Sequence, residues 1–298
     1  MHYRFPPALT VLLMLASAAF VNGQAYFKLS PGNGFPIAGE HLGSESRQEL
    51  TTTLDPETGF EVPRIVTSSE NIHGSYGAGP IFSGTFGYMF TDNLGVEAVI
   101  SYFSGREYEA VATNLDQRLS QIRYESRAST LTRSNGFLFS PLLKLTAGDG
   151  LIRPYLMAGP VFGKVDFRRD HDSMSIDEGV TSSEKTSTEY SGGLAKGARG
   201  VVGVEFAIKN NFSLFTEVVI TGMNYYPKKS EVTRYEIDGE DQLNTLTVEQ
   251  RKVNYVERVT TDTDGPIDSG DEPDRQPRIS MPLSSIAANL GVKLSFGY

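Results

Sequence analysis

The stretch Ser284–Tyr298, SSIAANLGVKLSFGY, indicates the fold class of this 298-residue chain. From Ile286 to Tyr298 an apolar side chain stands at every second position, and the positions between are polar or small. A repeat of two residues is typical of a β-strand with one apolar and one polar face. The stretch is also long enough to cross a bilayer as a tilted strand.

Seven other stretches are rich in glycine and aromatic residues and show a similar alternation of apolar and polar positions. The chain holds 30 Gly, 14 Tyr and 17 Phe, a composition that suits strongly curved β-sheet. In chain order the eight predicted strands are Ala25–Ser30, Ser75–Phe90, Gly95–Phe103, Asn135–Thr146, Arg153–Phe167, Gly200–Ile208, Phe212–Met223 and Ser284–Tyr298. For the sixth strand, a start near Tyr190 is the alternative.

The connections between these strands alternate strictly between short and long. Three are tight turns of Asp, Asn and Gly, and four are long polar stretches: Pro31–Gly74, Ser104–Ser134, Arg168–Glu189 and Asn224–Met281. Compact soluble domains rarely contain such long structureless connections, whereas bacterial outer-membrane barrels have short periplasmic turns and long outer loops. The sequence therefore predicts an all-β fold, an eight-stranded antiparallel up-and-down transmembrane β-barrel with four long extracellular loops.

A soluble β-sandwich or lipocalin-like barrel is the alternative. In a soluble barrel the apolar face of every strand points inward. In this chain the apolar face carries large aromatic side chains, whereas the other face carries glycines and charges. Because the lumen of eight strands is narrow, we expect small and charged side chains inside it, with Phe and Tyr outside.

The first 23 residues have the organisation of an export signal. Arg4 provides a positive start, and Ala8–Phe20 is an apolar run of the length expected for a signal peptide. A membrane anchor is the alternative, but it needs about 20 apolar residues. We predict a signal peptide at residues 1–23, cleaved after Gly23 or one or two residues later, and a barrel domain at residues 24–298.

The composition argues against several kinds of site. Without Cys there can be no disulfide framework, thiolate metal site or cysteine nucleophile. The four histidines are scattered, which argues against a histidine metal centre. The net charge of −9 argues against nucleic acid as a partner, because phosphate binding requires a basic surface. We expect no cofactor and no resident metal.

The acidity belongs to the four long connections, which together hold 18 basic and 30 acidic residues. The densest acidic run is Asp262–Asp274 in the fourth connection. Its Gly, Pro and charge content predicts a solvated, disordered loop. Weak divalent cation binding is the alternative, because spaced carboxylates offer several oxygen ligands to an ion such as Ca²⁺.

Six charged side chains are predicted to point into the lumen, three of each sign. They are Lys28, Glu97, Lys144, Glu205, Glu217 and Lys293. An isolated charge in a narrow lumen of low dielectric constant is costly, whereas paired charges are tolerated. We therefore expect a salt-bridge network that plugs the lumen. The alternative is that the same charges line a narrow gated path for ions or small solutes.

His73 and Ser75 form the one pairing that suggests catalysis. On a strand they would share a face, and some small outer-membrane barrels hydrolyse lipids with a His and a Ser this close together. No orienting carboxylate can be assigned to the pair. We interpret both as polar residues where the second strand enters its loop.

Four segments carry a family resemblance: Gly87–Glu97 (GYMFTDNLGVE), Arg153–Phe162 (RPYLMAGPVF), Asn211–Glu217 (NFSLFTE) and Leu294–Tyr298 (LSFGY). In them the chain resembles the OmpA-like eight-stranded outer-membrane β-barrels, often called porin-family proteins. Members end in an aromatic residue that is read by the barrel-assembly machinery. The resemblance therefore implies that Phe296 and Tyr298 form this assembly signal.

The resemblance covers the barrel strands alone, and it indicates architecture more than activity. It implies a monomer in the outer membrane of a Gram-negative bacterium, in contact with outer-membrane lipid and, during biogenesis, with periplasmic chaperones. Two-domain members also carry a peptidoglycan-binding domain, which the sequence lacks after its eighth strand, so tethering to the cell wall is not implied.

Together these observations predict a non-enzymatic outer-membrane barrel with a structural or surface-interaction role and a lumen plugged by charge. The alternative is a narrow porin or channel for small solutes or ions. A lipid-modifying enzyme is the third hypothesis.

Overall fold

The computed structural model describes residues 24–37, 41–118, 121–209, 211–259 and 270–296. In these residues the β-strands form one continuous sheet. In chain order they are β1 (Gln24–Pro36), β2 (His41–Leu54), β3 (Glu61–His73), β4 (Gly79–Met89), β5 (Leu94–Ser104), β6 (Tyr108–Arg118), β7 (Gln121–Thr146), β8 (Ile152–Asp177), β9 (Val180–Ser191), β10 (Ala195–Lys209), β11 (Phe212–Tyr225), β12 (Lys229–Ile237), β13 (Glu240–Asp241), β14 (Lys252–Val256), β15 (Asp274–Pro277), β16 (Met281–Pro282) and β17 (Ser285–Phe296). A 3-10 turn (Leu243–Thr245) and one helix, α1 (Val248–Arg251), precede β14. No helix in the described ranges is long and apolar enough to cross a membrane.

Eight of the strands close into an antiparallel barrel. They are β1, β4, β5, β7, β8, β10, β11 and β17. Each pairs with the next barrel strand along the chain. The last strand returns to the first, with Lys28 opposite Lys293. The predicted eight-stranded up-and-down barrel is therefore confirmed.

The connections define two ends of the barrel. Tight turns join β4 to β5, β7 to β8 and β10 to β11 at one end, here called the short-turn end. The four long connections leave from the opposite end, the long-loop end. β1 begins and β17 finishes at the short-turn end, as an even number of antiparallel strands requires.

The long connections are not structureless, so that part of the prediction is wrong. β2 and β3 form a hairpin, β6 pairs along β7, and β9 joins β8 to β12. β7 starts at Gln121 and β8 continues to Asp177, well outside their predicted bounds. These segments form a sheet, here called the outer sheet, which continues the barrel wall beyond the long-loop end.

Sequence analysis did not predict the strands of the outer sheet, because much of this sheet is exposed to water on both faces. Nearly every residue of β3 is exposed, for example. A two-residue repeat reports a difference between the two faces of a strand, and polar side chains on both faces remove that difference. Polar strands of this kind cannot be distinguished from loops by alternation alone.

Two predicted strand starts also differ. The second barrel strand begins at Gly79 rather than Ser75, because residues 75–78 form a turn in which the N–H of Ala78 donates to the Ser75 carbonyl at 3.3 Å. Gly79 then adopts φ of +136°, a conformation that favours glycine. The sixth barrel strand begins at Ala195, between the predicted start at Gly200 and the alternative start near Tyr190, which adds an interior arginine described below.

The outside of the barrel is an apolar belt contributed by all eight strands. Large side chains such as Phe86, Ile100 and Leu290 are more than half exposed. On β8 the belt runs from Ile152 to Phe162; at about 3.3 Å per residue and a tilt of about 40°, this run crosses about 25 Å, the height of the apolar band of membrane barrels.

Charged residues mark the upper limit of this belt. Lys164 follows Phe162 on β8 at its long-loop side, Lys196 on β10 is paired with Phe162, and both lysines are exposed. A soluble barrel would turn the large apolar side chains inward, away from water. The belt and its charged border are those of a membrane-spanning barrel.

Candidate functional site in the barrel lumen

The six charged residues predicted to point inward all lie in the lumen near its short-turn end. Each comes from a different barrel strand, and strand alternation turns it to the inner face. None is more than 7% exposed. The six are Lys28 on β1, Glu97 on β5, Lys144 on β7, Glu205 on β10, Glu217 on β11 and Lys293 on β17.

Glu97 is the centre of the network. Lys28 donates to Glu97 with Nζ 3.2 Å from Oε2, and Lys144 donates with Nζ 3.1 Å from Oε1. The Tyr26 hydroxyl donates to Oε1 at 2.7 Å. One buried carboxylate therefore holds two ammonium groups and one phenol, which offsets the cost of burying its charge.

The other two carboxylates extend the network across the lumen. Glu217 accepts from the ammonium of Lys28 and, at 2.8 Å, from the hydroxyl of Tyr155. Lys293 donates to both carboxylate oxygens of Glu205 at 2.9 Å. Glu205 also lies 4.0 Å from the Lys144 ammonium. The six charges form one connected layer, here called the charged layer.

Aromatic rings complete the charged layer. The ammonium groups of its lysines lie 4.3–4.4 Å from ring centroids: Lys28 from Phe215, Lys144 from Tyr155, and Lys293 from Tyr26. Cation–π attraction of this kind is strengthened by exclusion of water. The rings also fill the space between the charges, so the layer is closed by packing as well as by ion pairs.

These interior aromatic rings overturn the expectation that Phe and Tyr would lie outside. Tyr26, Tyr155 and Phe215 are at most 3% exposed. Each stands opposite a glycine of the neighbouring strand in the sheet register: Tyr26 with Gly87, Tyr155 with Gly203, and Phe215 with Gly291. The absence of a side chain on the glycine makes room for the ring. Alternation by itself puts Tyr26 on the face of Lys28 and Phe215 on the face of Glu217. The room that the glycines leave for these rings follows from the register between strands, which the sequence does not reveal.

An apolar cap closes the lumen at its long-loop end. The rings of Phe167 and Tyr225 stack with centroids 5.4 Å apart, and Tyr76 meets Phe167 edge-on at 5.3 Å. Phe103, Leu138, Met223 and Leu283 are buried in the same cluster. Between this cap and the charged layer the free space is about 30 Å³, enough for one or two water molecules. The described lumen therefore contains no open path.

A seventh charge lies in the lumen that sequence analysis did not place there. Arg199 on β10 is 6% exposed and borders the free space between the two layers. Arg199 lies outside the predicted strand Gly200–Ile208, and the inward charges were counted without it although a start near Tyr190 was the alternative. With Arg199 included, the buried lumen charges described here are four positive and three negative, so the predicted balance of signs is wrong.

The structure does not bring His73 and Ser75 together on a strand. His73 is the last residue of β3 and is exposed. Ser75 is fully buried in the turn that follows, where its hydroxyl accepts from the N–H of Gly77 at 3.2 Å. The shared strand face on which the catalytic interpretation depended is therefore absent.

Several sequence predictions fall outside the described residues. The signal peptide at residues 1–23, Tyr298, and Asp262, Asp264 and Asp268 of the acidic run belong to this group. Within the described residues no group of three or more His, Asp or Glu side chains could hold a metal ion. Phe296, the other half of the predicted assembly signal, is 58% exposed on the outer face of β17.

A smaller charged cluster ties the outer sheet together at Asp170 on β8. Its carboxylate accepts from Ser187 of β9 at 2.7 Å and from Nε of Arg168 at 2.9 Å, and Arg133 of β7 lies 3.6 Å away. Partial burial acts to raise the pKa of Asp170, but these hydrogen bonds and positive charges outweigh it and hold the pKa below its ordinary value.

The lowered pKa of Asp170 predicts an acid-sensitive contact in the outer sheet. Its stabilising contribution is present above the unfolded pKa of about 3.9 and is lost as pH falls through the lower folded value. Below about pH 4 we expect pepsin to cut β9 of the wild type more readily than it does at pH 5. At pH 5 we expect pepsin to cut β9 of Asp170→Asn about fivefold faster than β9 of the wild type. Equal cleavage of both proteins at pH 5 would contradict this role.

No model of a known protein family matches the chain, and no curated protein sequence matches it. Solved structures do match. Ail, the attachment invasion locus protein of Yersinia pestis, solved in complex with the heparin analogue sucrose octasulfate, has 11% identity and a TM-score of 0.24, covering 93% of this chain and 100% of its own. The outer membrane protease OmpT from Escherichia coli has 11% identity and a TM-score of 0.32, covering 92% and 97%. These similarities are too low to compare functions, and the barrel is defined by its own strand pairing.

Proposed function

We propose that the chain is a closed, non-enzymatic outer-membrane barrel that anchors the outer sheet at the cell surface for a structural or surface-interaction role. The observation that supports this most directly is the double closure of the lumen. The charged layer seals the short-turn end and the apolar cap seals the long-loop end, with about 30 Å³ between them. A barrel filled in this way serves as an anchor rather than as a conduit.

The position of the apolar belt supports the outer-membrane assignment. Closed β-barrels are one of the two structures that can span a bilayer, because they satisfy every backbone hydrogen bond internally. Bacterial outer-membrane barrels place short turns in the periplasm and long connections outside. In this arrangement the outer sheet faces the medium, and the barrel itself contacts outer-membrane lipid.

The OmpA-like family resemblance is part of the proposal. Eight barrel strands and the aromatic residues Phe296 and Tyr298 support it. On this basis we propose that the protein is exported with loss of residues 1–23, passes periplasmic chaperones and the barrel-assembly machinery, and is a monomer. Weak divalent cation binding by the acidic fourth connection remains a secondary proposal.

A conductance measurement separates the closed barrel from the channel hypothesis. The purified protein, reconstituted into a planar bilayer, is expected to give no single-channel steps in 1 M KCl. A wide porin in the same bilayer provides the positive control. Regular conductance steps that are abolished by replacing residues of the charged layer would establish the channel instead.

The proposed orientation is testable with single cysteines, because the natural chain has none. Thr67→Cys lies in β3 of the outer sheet and Asp149→Cys in a short turn, and both positions are exposed. On intact cells, a maleimide coupled to a large polymer should label position 67 alone. Position 149 should react after the outer membrane is permeabilised, and the reverse pattern would refute the orientation.

A further inference from the structure

Arg199 is buried without a carboxylate beside it. In the described residues its hydrogen bonds run from Nη1 to the Ser101 hydroxyl at 3.3 Å and from Nε to the Thr221 hydroxyl at 3.4 Å, and no carboxylate oxygen lies within 4.0 Å. A guanidinium has five N–H donors, and both of these contacts are long for hydrogen bonds. The group is therefore poorly satisfied for a side chain that is 6% exposed.

Glu217 of the charged layer attracts Arg199 at long range, but none of the carboxylates of this layer forms an ion pair with it. The three carboxylates, Glu97, Glu205 and Glu217, already accept from lysine ammonium groups. The described lumen therefore carries one more positive than negative charge, and an arginine keeps its charge in proteins. An unpaired charge that is shielded from water is among the costliest features of a protein interior.

The space beside Arg199 is lined in part by hydroxyl groups that an anion can accept from. They come from Ser30, Ser83, Thr85, Ser101, Thr221 and Ser285, all at most 5% exposed. Apolar side chains and the carboxylates of Glu97 and Glu217 also border the space, and lysine ammonium groups donate to both carboxylates. Ser83 and Ser101 are 2.9 Å apart and share one hydrogen bond, so the second hydroxyl proton of the pair is available to another acceptor. Hydroxyls rotate to suit their partner.

We propose that this cavity binds one monovalent anion of the halide class, held by the guanidinium of Arg199 and by the hydroxyls of Ser101 and Thr221. The bound anion brings the net charge of the lumen to zero. The free space of about 30 Å³ matches an ion of the size of a water molecule.

The proposal is tested by refolding the protein in a zwitterionic detergent in sodium chloride, sodium bromide or sodium gluconate at equal ionic strength. Refolding in each salt is needed because both ends of the lumen are closed. Above the dissociation constant, each tenfold increase in halide should raise the folded-to-unfolded ratio by about tenfold. Gluconate, which is too large for the cavity, should have no such effect.

Bromide also gives a direct readout of the site. Crystals grown in bromide should show an anomalous peak in the lumen beside Nη1 of Arg199 and the Ser101 hydroxyl. Stability that is equal in all three salts, together with the absence of a lumen peak, would overturn the proposal.

Variants separate the site from general salt effects. Ser101→Asp places an internal carboxylate where the hydroxyl meets Arg199, so the variant should fold, be stable in gluconate and lose its halide dependence. Arg199→Met should lose halide dependence as well. Arg153→Gln removes an arginine at the short-turn rim, outside the cavity, and should retain the wild-type dependence. Full halide dependence in Ser101→Asp would place the anion elsewhere and refute the assignment.

Discussion

Glu97→Gln is expected to destabilise the barrel by about 3–5 kcal/mol, the cost of removing one partner from a buried ion pair. The amide keeps the shape of the carboxylate but leaves Lys28 and Lys144, at 3.2 Å and 3.1 Å, without their shared negative charge. Both ammonium groups are nearly inaccessible to water. Lys28 keeps Glu217, whereas the nearest carboxylate left to Lys144 is Glu205 at 4.0 Å. The excess positive charge in the layer, rather than the loss of a contact, makes the effect large.

The measurement is urea unfolding of the protein in lipid vesicles. Because the chain has no Trp, unfolding is followed by far-ultraviolet circular dichroism or by the heat-dependent shift of the folded barrel in gels. Glu49→Gln, at an exposed position of β2, is the matched control and should change the free energy of unfolding by less than about 0.5 kcal/mol. Equal stability of the two variants would mean that the charged layer contributes nothing to barrel stability.

Gly203→Ala is expected to cost at least about 2–3 kcal/mol, because it overpacks the lumen. An added Cβ would lie 2.4 Å from the ring of Tyr155. The ring cannot retreat easily, because its hydroxyl donates to Glu217 at 2.8 Å and its face lies 4.4 Å from the Lys144 ammonium. The single methyl group should therefore also disturb the charged layer.

Gly200→Ala in the same strand is the matched control. An added Cβ at Gly200 meets no atom within 4 Å, so the variant should be as stable as the wild type or slightly more stable, through a less flexible unfolded chain. In a Tyr155→Ala background the cost of Gly203→Ala should largely disappear, which a double-mutant cycle measures. A cost that persists there would show that backbone conformation, not ring packing, requires glycine at position 203.

Much of the barrel could be predicted because its signal is local. In β17 apolar and polar residues alternate one by one, and the structure turns Leu290 outward and Asn289 inward, as that pattern requires. The same logic placed six of the seven described lumen charges on the inner face. The outer sheet could not be predicted in this way, because strands such as β3 are exposed to water on both faces and do not alternate between apolar and polar residues.

The sequence by itself determined the number of barrel strands and six of the seven described lumen charges, because each depends on a two-residue repeat within one segment. The tertiary structure alone decided which side chains are in contact. Lys28 meets Glu217 across 189 residues of chain, Tyr155 finds its glycine through the register of β8 and β10, and Arg199 is left without a carboxylate. These pairings depend on barrel closure and register, which bring distant segments together and leave no trace in the local pattern of any one strand.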